Sequence, residues 1–165
     1  MGRTSKHERK PGDQWLVPVV GRIVFIAGLL VSALDRAIHQ QGGFVLTAKF
    51  VLGIASLIVG LGLYLASRLY LGRFFSEKVR IIQGHKLVAK GPYRYIRHPV
   101  YLGEMLYFLS IPAIFGSLLG FVIMLTIVPI LIYRIGYEEK VLSTEFGQEY
   151  EDYASRTWKL IPFLY

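Results

Sequence analysis

The chain has 165 residues, 53% of them hydrophobic, with a mean hydropathy of +0.45 and a formal net charge of +8. The apolar residues come in long runs rather than amphipathic stripes, which excludes an ordinary water-soluble domain. No cysteine is present, so disulfides, thiolate catalysis and cysteine-ligated metals are excluded, and the four scattered histidines (His7, His39, His85, His98) predict no metal site.

Residues 1–14 form a basic tail with Arg3, Lys6, Arg9 and Lys10, and no cleavable leader is expected. A first span is predicted from about Trp15 to Leu34, with Pro18 early and Arg22 inside. A second runs from about Val45 to Leu71 around the charge-free stretch 50–67. Residues 72–98 read as a polar loop. The next charge-free run, 105–133, covers 29 residues and is too long for one span. Gly116-Ser117 offers a break, giving a third span from Pro99 to about Phe115 and a fourth from Leu118 to about Gly136. Gly103, Gly116 and Gly120 are expected to let these two pack as a tight helical hairpin.

Sidedness follows from the basic residues. Of the 19 Lys and Arg, 15 fall in the N-terminal tail, in 72–98 or in the C-terminal part from Arg134 onward. With four spans all three segments face one compartment, so both termini are expected in the cytoplasm. The positive charge then has a topological cause, membrane lipids are the expected surroundings, and nucleic-acid binding is not expected.

Two polar segments carry candidate chemistry. In GHKLVAKGPYRYIRHP, residues 84–99, Pro99 suits a first helical turn and disfavours helix at His98. The start of span three thus offers free N–H groups beside His98 and Tyr101, suited to an anionic group. The same stretch also reads as an interfacial belt, with Tyr93, Tyr95, Tyr101 and Tyr107 at headgroup level and Arg94 and Arg97 fixing sidedness. In residues 133–162, Arg134 and Glu138 are four apart and share a helix face. The guanidinium can grip a carboxylate or phosphate, and the carboxylate can receive an ammonium or a ribose hydroxyl. As a plain surface pair they would contribute only a few tenths of a kcal/mol. Glu139, Glu145, Glu149, Glu151 and Asp152 are expected to form a solvated face, with a helix break at Phe146-Gly147. Glu104 costs ~2.5–3.5 kcal/mol near mid-membrane and is expected to face the bundle, its role open.

Taken together, HKLVAKGPYRYIRHPVYLG, about 30 residues of hairpin, and RIGYEEKVLSTEFGQEYEDY resemble the isoprenylcysteine carboxyl methyltransferase family and its phospholipid-methylating relatives. The likeness covers roughly residues 68–163. It implies an all-α integral membrane protein of about four transmembrane helices, the last two a tight hairpin. A cytosolic cofactor site would lie between the pre-hairpin loop and the C-terminal helix, making 72–98 and 99–165 one catalytic unit after the two N-terminal spans of 15–71. The cofactor implied is S-adenosylmethionine, released as S-adenosylhomocysteine, and no strand-glycine-helix fingerprint competes with it. By resemblance its contacts fall on His85, Lys86, Leu87, Val88, Tyr93, His98, Pro99, Val100, Tyr101 and Glu138. Relatives often have a small hydroxyl residue at the position of Lys86, a change that a backbone contact tolerates. Arg134 is implied beside the acceptor carboxylate as the catalytic and substrate-binding arginine, with Arg156 as a second substrate-binding arginine. The acceptor would be lipophilic or small, a prenylcysteine carboxylate foremost. Two other readings stand beside this one. Membrane sterol reductases carry a similar His-Pro-x-Tyr-x-Gly-Glu element and bind NADPH, and a non-enzymatic membrane protein could keep the motif as scaffold.

Overall fold

The apolar runs fold into helices that pair their backbone polar groups internally, as a lipid environment demands. The computed structural model describes residues 16–39, 46–76, 84 and 86–163, so the basic tail lies outside the described residues. Helix α1 is Leu16–His39, α2 Ala48–Leu71, α3 Pro99–Phe115, α4 Leu118–Leu125, α5 Ile127–Phe146 and α6 Gln148–Ala154. Short 3-10 turns, Gly72–Phe74 and Gly91–Arg94, lie between α2 and α3.

Local chemistry sets the boundaries. Thr47 caps α2 by accepting the Phe50 N–H at 3.2 Å, and Ser117 caps α4 by accepting the Gly120 N–H at 3.0 Å. Pro99 opens α3, where its missing N–H costs no bond. Pro129 cannot donate to the carbonyl of Leu125, and the rod breaks at Thr126 between α4 and α5. The α5 helix stops at Gly147, which adopts φ +53, as the Phe146-Gly147 pair predicts.

Among the described residues three stretches are long and apolar enough to cross a membrane: Leu16–His39, Ala48–Phe74 and Leu118–Phe146. The expected third span, α3, is a shorter apolar helix of 17 residues. It rises only about 26 Å against a hydrocarbon layer of about 30 Å, because Pro99 bars its extension into the basic loop. The chain is an all-helical integral membrane protein, and its outward side chains, such as Ile23, Leu30, Leu52, Ile58 and Val122, are exposed apolar residues suited to lipid.

The α3 and α4 helices form the expected hairpin through the two-residue turn Gly116-Ser117, with Gly116 left-handed at φ +71. Gly103 and Gly120, however, do not serve that contact. Gly103 meets α2: a Cβ there would lie 2.7 Å from the Tyr64 nitrogen and 2.8 Å from the Gly60 oxygen. Gly60 faces the Tyr107 nitrogen and Gly53 the Ile114 nitrogen, and the Ser56 hydroxyl donates across to the Leu106 carbonyl at 3.1 Å. The α2–α3 pair thus packs backbone on backbone through small residues. Gly120 instead faces Ser32 of α1. The core joins Met105 and Phe108 of α3, Met124 of α4, Ile127, Leu131 and Ile135 of α5 and Leu160 beyond α6.

Candidate functional site

The N-terminus of α1, the C-terminus of α2, the start of α3 and the polar half of α5 meet at one end of the bundle. Between α2 and α3 the chain turns at Gly91, whose φ of +57 suits glycine and whose missing side chain leaves room for the Tyr70 ring. That turn buries Tyr93 and leads to His98, 4% exposed, immediately before α3. A returning strap holds this loop in place. The Arg97 and His98 N–H groups donate to the carbonyls of Trp158 at 2.8 Å and Lys159 at 3.1 Å, and the Trp158 N–H donates to Tyr95 at 2.9 Å.

The side chains reinforce the strap. The Arg97 guanidinium donates to the Ala154 carbonyl at 2.8 Å, to the Thr157 carbonyl, and to Glu139 Oε1 at 3.0 Å. Lys159 Nζ lies 2.9 Å from the other Glu139 oxygen, and His98 Nε2 lies 3.4 Å from Oε1. Arg97 is 12% exposed and Glu139 18%, which corrects two expectations. Glu139 leaves the solvated face that Glu145, Glu149, Glu151 and Asp152 do occupy, and Arg97 is a clamp rather than a free interfacial charge. The tertiary return of 157–160 supplies the partners that turn both inward. The Tyr153 hydroxyl donates to the Tyr93 carbonyl at 2.8 Å. Burial pushes that hydroxyl up to about 12, against the nearby Arg97 charge, so it stays a donor.

At the foot of the site, Arg134 Nε donates to the Tyr101 hydroxyl at 2.8 Å, and that hydroxyl donates to Glu138 Oε2 at 2.7 Å. Arg134 and Glu138 are therefore coupled through Tyr101 as well as by their spacing of one turn on α5.

Two cavities meet here. The first, about 860 Å³, is lined by Lys86, Leu87, Val88, Tyr93, His98, Val100, Tyr101 and Glu138, with Leu71, Phe74, Val141 and Leu142 among its apolar walls. The second, about 1050 Å³, lies among α1, α2, α3 and α5 and includes Arg22, Phe25, Tyr64, Glu104, Tyr107 and Arg134. They share Phe75, Ser76, Val100 and Tyr101. Eight of the ten residues expected at a cofactor thus line one cleft. Pro99 is buried behind them at the head of α3, and His85 lies outside the described residues. Arg134 faces the second cavity, whereas Arg156 is exposed beyond α6 and lines neither, since α6 ends at Ala154 and turns it outward.

The residues that sequence reasoning passed over are Arg97, Glu139, Tyr153 and Arg22. For two of them the signal is adjacency: Arg97 precedes His98 and Glu139 follows Glu138, and Arg97 and His98 both line the cleft and both reach Glu139. The Tyr93 hydroxyl is buried in the cleft wall and has no hydrogen-bond partner among the described residues. Burial foremost, then Glu138, raises its pKa far above the usual range, so it stays protonated and able to donate. Among the described residues no His, Cys, Asp or Glu cluster could hold a metal ion.

A family model described as phospholipid methyltransferase matches residues 48–149. A probable protein-S-isoprenylcysteine O-methyltransferase of Oryza sativa subsp. indica is 32% identical over 115 residues, 68% of this chain and 60% of that protein. The Delta(14)-sterol reductase TM7SF2 of Mus musculus is 27% identical over 92 residues, 54% of this chain and 22% of that one. Among solved structures, a eukaryotic intramembrane Ras methyltransferase, an isoprenylcysteine carboxyl methyltransferase, aligns over 95% of this chain and 55% of its own. The TM-score is 0.66 at 25% identity.

Proposed function

Because the chain belongs to the phospholipid methyltransferase family, we propose that it transfers a methyl group from S-adenosylmethionine to a lipid-borne acceptor at the membrane boundary. The chain spans about 60% of the length of the plant isoprenylcysteine O-methyltransferases it matches, so the activity is argued from the site. The observation that carries it is the Tyr101 hydroxyl, which stands where the two cavities meet and bonds both Arg134 and Glu138.

The first cleft suits the methyl donor. It sets the unpartnered Tyr93 donor and the Glu138 carboxylate among apolar walls, a surface for a purine, ribose hydroxyls and an amino-acid end. Lys86, Leu87, Val88, Tyr93, His98, Val100, Tyr101 and Glu138 would hold it, with Pro99 fixing the start of α3 and His85 kept as a further contact. S-adenosylmethionine, when bound, supplies an electrophilic methyl on a sulfonium. The protein's part is alignment at near-attack distance, and no nucleophilic side chain is needed. In the second cavity Arg134 holds the acceptor's carboxylate, and Tyr101 fixes the guanidinium so that the anion sits at the junction. Phe75 and Val100 line both chambers and keep water from it. The donor, being polar, enters from the cytoplasm, the side on which the basic segments and both termini lie by the positive-inside rule. A prenylcysteine carboxylate is the acceptor this arrangement fits best.

Titration of the detergent-purified protein tests the reading. S-adenosylhomocysteine binds and NADPH does not; NADPH binding in its place would make the chain a reductase. Glu138→Ala weakens S-adenosylhomocysteine binding about tenfold or more, the loss of a charged hydrogen-bond partner. Arg134→Ala spares that binding and removes turnover. An Arg134→Ala protein that still methylates its acceptor overturns the assignment of Arg134.

A further inference from the structure

The strap that holds the loop before α3 runs over residues 155–163. Trp158 forms a parallel bridge with Ile96, and its N–H donates to the Tyr95 carbonyl at 2.9 Å. Leu160 is buried in the same cluster as Met105 of α3 and Ile135 of α5. The His98 N–H donates to Lys159, and Pro99 begins α3 at the next residue. The strap therefore lies at the level where α3 enters the bilayer. Its remaining apolar side chains, Trp158, Ile161 and Phe163, stay exposed, Phe163 at 87%. None of them belongs to a helix that crosses the membrane. The Trp158 and Phe163 ring centroids are 5.3 Å apart, and Phe163 keeps its place at φ +66, the one positive φ outside glycine among the described residues. A bulky residue rarely adopts that backbone, and such strain collects where a side chain is held for use. The strap and the segment it pairs with, 86–98, contain no Asp or Glu. Of their basic residues, Arg97 and Lys159 engage Glu139, whereas Arg94 and Arg156 are exposed, Arg94 lying 5.7 Å from the Tyr95 ring centre. Exposed aromatic rings with arginines beside them match the boundary layer of a bilayer. There amphipathic rings sit among the headgroups, and cations meet anionic lipids.

We propose that the strap is a lipid-contact surface, with the Trp158 and Phe163 rings seated at headgroup depth and Arg94 and Arg156 on anionic headgroups. By the positive-inside rule the leaflet is the cytoplasmic one, where anionic lipids are concentrated. The contact is independent of the chemistry proposed for the two cavities, since no ligand of theirs takes part in it. It bears on them all the same. The strap also binds the backbone of Arg97 and His98, which line the donor cleft, so lipid and cleft share one element.

Tryptophan fluorescence tests the placement, because the sequence has only Trp15 and Trp158. The full-length W15F protein, with Trp158 as its fluorophore, is reconstituted in nanodiscs of phosphatidylcholine and phosphatidylglycerol. One lipid at a time carries bromine, either high on its acyl chains or near their ends. Bromine placed high quenches Trp158 more than bromine at the chain ends, and more than acrylamide in the water. Brominated phosphatidylglycerol quenches with an apparent affinity about fivefold above that of brominated phosphatidylcholine, the worth of one cation near an anionic surface. The preference falls toward one when R94Q and R156Q are added, while quenching by the high bromine is kept. If W15F folds poorly, the difference between wild type and W158F isolates the same signal. Strong quenching by acrylamide alone puts the ring in water, and quenching by chain-end bromine alone puts it in the hydrocarbon; either result overturns the proposal. Shielding from bromine and acrylamide alike puts another protein surface on the strap, which overturns it too. Equal quenching by the two lipids in W15F also overturns it, because the arginines then meet no anionic headgroup.

Discussion

The Tyr101 hydroxyl accepts from Arg134 at 2.8 Å and donates to Glu138 at 2.7 Å, so one oxygen fixes a cation and a carboxylate that belong to different chambers. Tyr101→Phe removes both bonds and leaves the ring. Each bond involves a charged partner, typically ~1.5–3 kcal/mol, so turnover falls about ten- to a hundredfold in a steady-state assay. Helix content by circular dichroism stays unchanged. Glu139 is a different kind of residue: it gathers Arg97, His98 and Lys159 without facing the donor cleft. Glu139→Gln leaves two cations facing a neutral amide. Because the cluster is part exposed, the cost falls below that of a fully buried pair, about 2 kcal/mol, and is read as a lower unfolding temperature in detergent. The two neighbours Glu138 and Glu139 look alike in the sequence. A helical step of 100° separates their directions, but only the return of Lys159 says which direction is protein and which is ligand.

Among the elements, α2 and α3 are joined at their backbones, and α3 carries Tyr101 and Glu104. A valine at Gly103 would drive its Cβ to 2.7 Å from the Tyr64 nitrogen, which cannot rotate away. Gly103→Val therefore destabilises by about 1–3 kcal/mol, as overpacking does, and shifts α3 enough to abolish the proposed methyl transfer. Gly62 lies on the same α2 with nothing within 4 Å of a built Cβ. Gly62→Ala is accordingly neutral or stabilising by up to about 1 kcal/mol through helix propensity, and paired thermal melts of the two variants check both outcomes. The helices themselves were legible because charge-free runs of this length have few other uses. The partner of each glycine was not: a small residue signals close approach without naming the neighbour. Gly103 and Gly120, read as one hairpin's contact, serve two other helices. The short α3 was signalled by Pro99, whose ring forbids the extra turns that a full span would need.

At the scale of the molecule, both cavities take residues from the same end of the bundle, so the proposed chemistry belongs to one membrane face. A chain without cysteine makes this testable without background. Lys90 and Leu46 are both exposed and lie at opposite ends of α2's reach. In intact cells a membrane-impermeant maleimide labels Leu46→Cys directly and Lys90→Cys only after permeabilisation. The reverse pattern would move the site to the other compartment. The clasp at Arg97 bears on how such a protein comes to be made. Its guanidinium binds the carbonyls of Ala154 and Thr157, 57 and 60 positions further along. Residues 154–160 follow α5 in the chain, so the clasp forms only after α1 to α5 have been synthesised. A nascent chain therefore holds a pocket with one wall missing. The loop bearing Tyr93 and His98 is held in place only once residues 154–160 have been made, so the cleft is completed last, after the helices that frame it.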